Sequence, residues 1–150
     1  MRKDRLIVIV LLVLAALTAI AAALHLSSRT QVTAGTIRVE WDGGASEAYL
    51  TRLELHSIHG TVRNGKGEEL AVDGEGALLS AVLEELGVTD FGKVTVTAED
   101  SYSAVVTAEE VAQPDKVYLM LQERGGAQLV VFGDENSKRN VANVAVLTAS

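Results

Sequence analysis

The most polar stretch of the 150-residue chain is the segment 133–140, GDENSKRN. It holds the only adjacent basic pair of residues 36–150, Lys138 and Arg139. An arginine can bind phosphate or carboxylate through two parallel N–H groups, so Arg139 is a candidate residue for binding a small anion or a partner protein. An exposed loop between two strands explains the same composition, and both interpretations stay open.

The histidines and paired acids give weaker signals for chemistry. His56 and His59 are the only histidines after residue 26, and on a strand their odd spacing directs them to opposite faces. A metal site needs three or four converging ligands, so we expect no metal here. Adjacent acids such as Glu84-Glu85 diverge rather than face each other, which does not suit glycoside hydrolysis. We therefore predict no catalytic residues.

Composition excludes several further kinds of chemistry. The chain has no Cys, hence no disulfide, thiolate ligand or Cys nucleophile. It contains no nucleophile-elbow or phosphate-loop motif. Gly74-Glu75-Gly76 precedes a predicted helix, and we interpret it as a flexible lead into that helix rather than an anion site. With 13 basic against 20 acidic residues, net charge −7, a nucleic-acid partner is not expected.

The pattern of the N-terminal residues predicts a membrane signal. Arg2, Lys3 and Arg5 precede an apolar run, Leu6–Leu24, in which Thr18 is the only polar side chain. At about 1.5 Å per residue this run reaches roughly 28 Å, close to the ~30 Å hydrocarbon core. We therefore predict a transmembrane signal anchor over residues 1–26, with the membrane as partner through Leu6–Leu24. The positive-inside rule predicts a single-pass protein of the cell membrane with a cytoplasmic N-terminus and an extracytoplasmic domain.

A cleavable signal peptide is the alternative. Ala19-Ile20-Ala21 and Ala21-Ala22-Ala23 both fit the small-x-small cleavage pattern. Either signal exports the same domain, which carries 10 basic and 19 acidic residues, net −9. Residues 27–35 are small and polar and are predicted to be a linker. Residues 36–150 are then one domain with a single core.

Hydrophobic periodicity predicts the elements of that domain. Thr36–Trp41 and Val94–Ala98 alternate as strands, and residues 64–67, NGKG, predict a hairpin between strands near 60–63 and 69–72. Leu78–Leu86 has an apolar helical stripe that ends at a glycine, and Thr107-Ala108-Glu109-Glu110 fits a capping box. Further strands are predicted over 117–121, 128–132 and 141–148.

The predicted fold class is α+β. About seven strands accompany two short helices, too few for parallel crossovers throughout, so we expect a mainly antiparallel or mixed curved sheet. One or two short helices belong to this domain, and a single N-terminal transmembrane helix precedes it.

Several of these segments together resemble a small version of the sulfite-oxidase-like, molybdopterin-binding domain family. The resembling stretches span nearly the whole domain and are residues 60–67 (GTVRNGKG), 76–88 (GALLSAVLEELGV), 93–102 (KVTVTAEDSY), 116–121 and 129–144 (LVVFGDENSKRNVANV). The resemblance implies an α+β domain with a mixed, curved sheet. It also implies basic side chains near the cofactor phosphate, which makes Arg139 and Lys138 candidate cofactor-binding residues.

The chain departs from the family pattern at its functional positions. Members ligate molybdenum through a Cys thiolate, and this chain has none. Where members read Arg-x-Val-Lys-Trp, Arg139 and Val141 match, but Ala142 and Asn143 replace Lys and Trp. The stretch 100–102 resembles an Asp-Gly-Tyr turn with Ser in place of Gly, which implies a turn rather than a substrate contact.

We therefore expect a membrane-anchored, extracytoplasmic, molybdopterin-binding-like domain that is not catalytic and binds a ligand or partner, with a membrane protein as candidate partner. No cofactor is predicted, and molybdopterin enters by resemblance only. A molybdopterin-dependent oxidoreductase without thiolate ligation and a structural subunit of a membrane complex are the alternatives.

Overall fold

The computed structural model describes residues 2–27, 35–134 and 139–150. They divide into an N-terminal helical unit and a unit of two β-sheets. The elements in chain order are α1 (Arg2–Ser27), β1 (Thr36–Trp41), β2 (Gly44–Tyr49), a 3₁₀ turn (Leu50–Arg52), β3 (His56–Arg63), β4 (Glu69–Leu78), α2 (Leu79–Glu85), β5 (Lys93–Ala98), β6 (Ser103–Thr107), α3 (Ala108–Ala112), β7 (Val117–Leu121), β8 (Ala127–Val131) and β9 (Val144–Ala149).

The strands form two sheets. The larger has the order β2-β1-β9-β5-β6 and the smaller the order β3-β4-β7-β8. All pairings are antiparallel except β1 with β9, which run parallel and join the two ends of the unit. This sheet-rich α+β arrangement agrees with the predicted balance of strands and helices.

One apolar core takes side chains from both sheets and from the short helices. Val39, Val96 and Leu147 come from the larger sheet, and Leu119 and Leu129 from the smaller; each is fully buried. In the larger sheet these positions alternate with more exposed ones along their strands, as a sheet with one face against a core requires.

A second apolar cluster covers the other face of the smaller sheet. It contains Ile58, Val72, Tyr118 and Val130, with Phe132 packed against them. Because side chains alternate across a strand, Tyr118 faces this cluster while its neighbours on β7 face the core. Both faces of the smaller sheet are therefore occupied by apolar side chains.

Glycines on the β3–β4 hairpin make this second packing possible. A Cβ on Gly60 would lie 2.7 Å from the Phe132 ring, and one on Gly76 would lie 2.5 Å from the Leu119 carbonyl oxygen. The expectation that Gly74-Glu75-Gly76 leads flexibly into a helix is therefore wrong. These residues lie inside β4, where Gly76 lets two strands approach closely.

The transmembrane part of the predicted fold class is wrong. Within the described residues, no helix combines the length and the apolar character that crossing a membrane requires.

Local signals predicted their elements well. The hairpin at 64–67 joins β3 to β4, α2 ends before Gly87 at φ +69°, and Thr107 caps α3. Two strands were not predicted. The sequence of β2, GASEAY, consists mostly of small, exposed residues and has no apolar alternation. β6 begins directly after a turn, and no sequence signal marks its first residue. The predicted linker lies almost wholly outside the described residues.

Candidate functional site

Arg139 links the loop after β8 to β6 and α3, which lie about 30 positions earlier in the sequence. Its Nε donates to Asp134 Oδ2 at 2.7 Å, while Nη1 and Nη2 donate to the two carboxylate oxygens of Glu110 at 2.7 and 2.8 Å. Nη1 also donates to the Val105 carbonyl oxygen at 3.3 Å. We call Arg139, Glu110 and Asp134 the arginine clasp, which ties the loop after β8 to β6 and α3.

The first turn of α3 positions Glu110 for this contact. Thr107 is the N-cap residue, whose Oγ1 accepts from the Glu110 N–H at 3.3 Å, while the Thr107 N–H donates to Glu110 Oε2 at 3.0 Å. This reciprocal capping box satisfies free N–H groups at the start of the helix. It also fixes the carboxylate that Arg139 binds.

Mutual charge and partial burial make the clasp strong. The three side chains are between 12% and 19% exposed. Hydrogen bonds from Arg139 lower the pKa of Glu110 from 4.5 to about 2, although burial acts in the opposite direction. Hydrogen bonds to Glu110 and then to Asp134 raise the pKa of Arg139 above its ordinary value. Glu110 and Arg139 are therefore both ionised at neutral pH.

This arrangement does not fit a phosphate at Arg139. Four N–H donations from its guanidinium already go to Glu110, Asp134 and Val105. Two carboxylates beside an incoming phosphate would repel it. Lys138, the other candidate cofactor-binding residue, lies outside the described residues, so that assignment stays a prediction.

The clasp also covers an exposed sheet edge. β6 is an edge strand of the larger sheet, and Arg139 donates a hydrogen bond to the carbonyl oxygen of Val105 in this strand. Val105 itself is 44% exposed. An edge with exposed β-branched residues invites pairing with another strand, and a cation held there opposes it.

An open pocket begins where the clasp ends. It has a volume of about 280 Å³ and lies between the end of the β3–β4 hairpin, the end of β8 and the residues that follow β8. We call it the hairpin pocket; its lining residues are Thr61, Val62, Arg63, Glu69, Val131, Gly133 and Asp134. Asp134 thus belongs to both the clasp and the pocket.

Two opposite charges flank the hairpin pocket without pairing. Arg63 and Glu69 are direct cross-strand partners in the β3–β4 register, and both are exposed. Oppositely charged residues at such positions commonly pair. Among the described residues, however, Arg63 takes part in no salt bridge. The pocket is therefore lined by one cation, Arg63, and two carboxylates, of which Asp134 is already bound by Arg139 and Glu69 is not.

The histidines do not converge on a metal. The His56 ring makes an edge contact with Tyr118 at 6.3 Å between centroids, while His59 Nδ1 lies 2.8 Å from Asp73 Oδ1 at a well-exposed position. Over the described stretches of chain, no group of three or more metal-ligating side chains occurs.

The segment 100–102 forms the turn between β5 and β6. Asp100 Oδ1 accepts from the Tyr102 N–H at 3.0 Å, and Ser101 has φ +70°. Glycine adopts this conformation without strain, whereas a residue with a side chain does so at a cost.

Sequence reasoning singled out Arg139 but missed what binds it. The capping-box signal placed Glu110 at the start of α3, yet nothing in the pattern linked it to a residue 29 positions later. Arg63 and Glu69 were visible only as strand residues beside the predicted turn. Their common pocket depends on Asp134, which tertiary packing brings to the end of the hairpin.

Comparison with protein-family models and with curated proteins finds no match for this chain.

Proposed function

We propose that the two-sheet unit is a non-catalytic binding module whose hairpin pocket takes up a small zwitterionic ligand. The observation that carries this proposal is the unpaired placement of Arg63 and Glu69 across one pocket. A ligand with a carboxylate and an ammonium group offers each of them a partner. The guanidinium of Arg63 suits a carboxylate in particular, because it can donate two parallel hydrogen bonds.

The size and lining residues of the hairpin pocket narrow the range of possible ligands further. At about 280 Å³ it is slightly smaller than the ~300–1,000 Å³ of typical small-molecule sites, which favours a ligand of amino-acid size. Thr61 adds a hydroxyl group, and Val62 and Val131 add apolar surface. Asp134 is held by Arg139, so the charge that remains for an ammonium group is that of Glu69.

The experiment is a titration of the labelled protein followed by amide NMR. The common amino acids are added singly, with acetate and methylamine as controls that carry only one of the two charges. We expect saturable shifts at Thr61, Arg63 and Gly133 with at least one amino acid, and much weaker shifts with either control. If acetate alone gave shifts as large as those of the amino acid, the ligand would be a simple anion and the zwitterion proposal would be wrong. The absence of shifts with every amino acid would also overturn the proposal.

We also propose that this module works outside the cytoplasm. The support is in the sequence, where three basic residues precede a long apolar run that ends in two small-x-small cleavage patterns. Fractionation of the native host, with mass determination of the recovered chain, tests this. A full-length chain confined to the cytoplasm would contradict it.

A further inference from the structure

A second concave surface lies on a different part of the unit, between the two short helices. The groove has a volume of about 330 Å³ and is lined by α2, α3 and the segment between α2 and β5. Leu83, Val88 and Val111 form its buried floor, and the half-buried ring of Phe91 lies beside them. We call it the α2/α3 groove. An apolar floor open to solvent is a feature of surfaces that bind other molecules.

The charged residues of α2, of α3 and of the segment between α2 and β5 are all acidic, and the flanking basic residues are Lys93 at the start of β5 and Lys116 after α3. Residues 79–92 and α3 contain no basic residue. Their acids are Glu84, Glu85, Asp90, Glu109 and Glu110, of which Glu110 is neutralised by Arg139. The other four are exposed, and the described residues show no salt bridge to any of them.

Two of these acids occupy an unfavourable place in their helix. Glu84 and Glu85 lie in the last turn of α2, which has no basic residue. The free carbonyl groups at a helix C-terminus favour cations and disfavour carboxylates. Local choices that oppose stability tend to concentrate at functional surfaces. The Leu83 and Glu84 carbonyl groups already accept hydrogen bonds from the backbone N–H groups of residues 86–88, so this helix end offers an external cation the two carboxylates, which no basic residue of α2 offsets.

We propose that the α2/α3 groove docks a short amphipathic segment of a partner protein that carries Lys or Arg beside its apolar side chains. The apolar side chains would cover Leu83, Val111 and Phe91, and the basic ones would lie over Glu84 and the end of α2. Charge complementarity selects this occupant over a second copy of the chain. A two-fold dimer through this groove would bring its own carboxylates together, which disfavours association.

The test uses two short amphipathic peptides with the same leucines at helical spacing, one carrying lysines on its flanks and the other glutamates. Binding of the labelled peptides to the full chain is measured by fluorescence anisotropy at low and at physiological salt. We expect the lysine peptide to bind at least roughly tenfold more tightly than the glutamate peptide, with an advantage that shrinks as salt rises.

Matched variants locate the binding. Glu84→Lys reverses one charge on the groove, and Glu99→Lys makes the same change on the distant β5–β6 turn. Ala112→Trp fills the mouth of the groove, and Ala45→Trp adds the same ring on the exposed strand β2. We expect the two groove variants to weaken lysine-peptide binding several-fold and the two control variants to leave it unchanged.

Three results would overturn the proposal. They are no binding of the lysine peptide at low salt, equal effects of Glu84→Lys and Glu99→Lys, and a salt-insensitive dimer that Ala112→Trp dissociates. Circular dichroism checks that each variant is folded, and Glu84→Lys keeps the test decisive if Ala112→Trp does not fold. Because this groove shares no residue with the hairpin pocket, its failure leaves the zwitterion proposal standing, and the reverse also holds.

Discussion

Arg139 binds both carboxylate oxygens of Glu110, at 2.7 and 2.8 Å, across 29 positions of the chain. The same carboxylate caps α3 through Thr107. One side chain thus serves a local helix start and a long-range cross-link. The residue that most resembled an anion-binding arginine is therefore part of the framework of the fold.

Arg139→Gln is expected to lower the free energy of unfolding by about 1–3 kcal/mol, because it leaves two partly buried carboxylates without their charged donor. Urea unfolding followed by circular dichroism measures the loss. Arg124→Gln, which changes an exposed arginine in the β7–β8 turn, is the matched control and should stay within about 0.5 kcal/mol of the parent. A similar small change for Arg139→Gln would contradict the clasp.

The clasp also predicts how stability depends on pH. The pKa of Glu110 is about 2 in the folded chain, below its ordinary value, so its contribution is complete above that ordinary value. It is lost as the pH falls from about 4.5 toward 2. The difference in unfolding free energy between the parent and Glu110→Gln should therefore shrink over this range. Glu109→Gln, at the exposed neighbouring position that Arg139 does not contact, is the matched control for the loss of stability at neutral pH.

Gly76 is expected to tolerate no side chain. A Cβ there would lie 2.5 Å from the Leu119 carbonyl oxygen and 2.7 Å from Met120 Cα, and backbone atoms cannot move aside as a flexible side chain can. Gly76→Ala should cost about 3 kcal/mol of unfolding free energy. Gly65→Ala has nothing within 4 Å of the added atom and should be close to neutral. Equal stability of the two variants would contradict the close β4–β7 approach.

Tyr118 should ionise late. Its burial, followed by its hydrogen bond to Asp115 at 2.8 Å, raises the pKa of Tyr118 to about 12. Absorbance of tyrosinate after rapid pH jumps would record a late transition that Tyr118→Phe removes and Tyr102→Phe retains. Because the raised pKa stabilises the neutral phenol in the fold, this contribution to stability is lost as the pH rises above about 10. If Tyr102→Phe removed the late transition and Tyr118→Phe retained it, the assignment of that transition to Tyr118 would be contradicted.

The sequence predicted those parts of the fold that depend on neighbouring residues. The β3–β4 turn needs the positive φ that Gly67 adopts, the end of α2 needs Gly87, and α3 needs the capping box at Thr107. Each rule acts over a few residues, so a short pattern is sufficient. The N-terminal span was predicted from apolar length alone, and the described helix does not support it.

Long-range features left no such pattern. β1 and β9 pair in parallel across almost the whole unit, with Val39 beside Leu147, and no local signal encodes a partner so distant. The same holds for Arg139 with Glu110. The resemblance to sulfite-oxidase-like domains and the cofactor-binding assignment of Arg139 and Lys138 stay predictions; in the described residues Arg139 donates to Glu110, Asp134 and Val105.

The most direct test of the proposed function compares ligand affinity in Arg63→Gln and Arg124→Gln. Both remove one exposed arginine, but only Arg63 lines the hairpin pocket. For the amino acid that gives the largest NMR shifts, we expect Arg63→Gln to weaken binding roughly tenfold or more, through loss of the charged hydrogen bonds to its carboxylate. Arg124→Gln should bind like the parent. Equal affinities in the two variants would contradict the assignment of the hairpin pocket as the binding site.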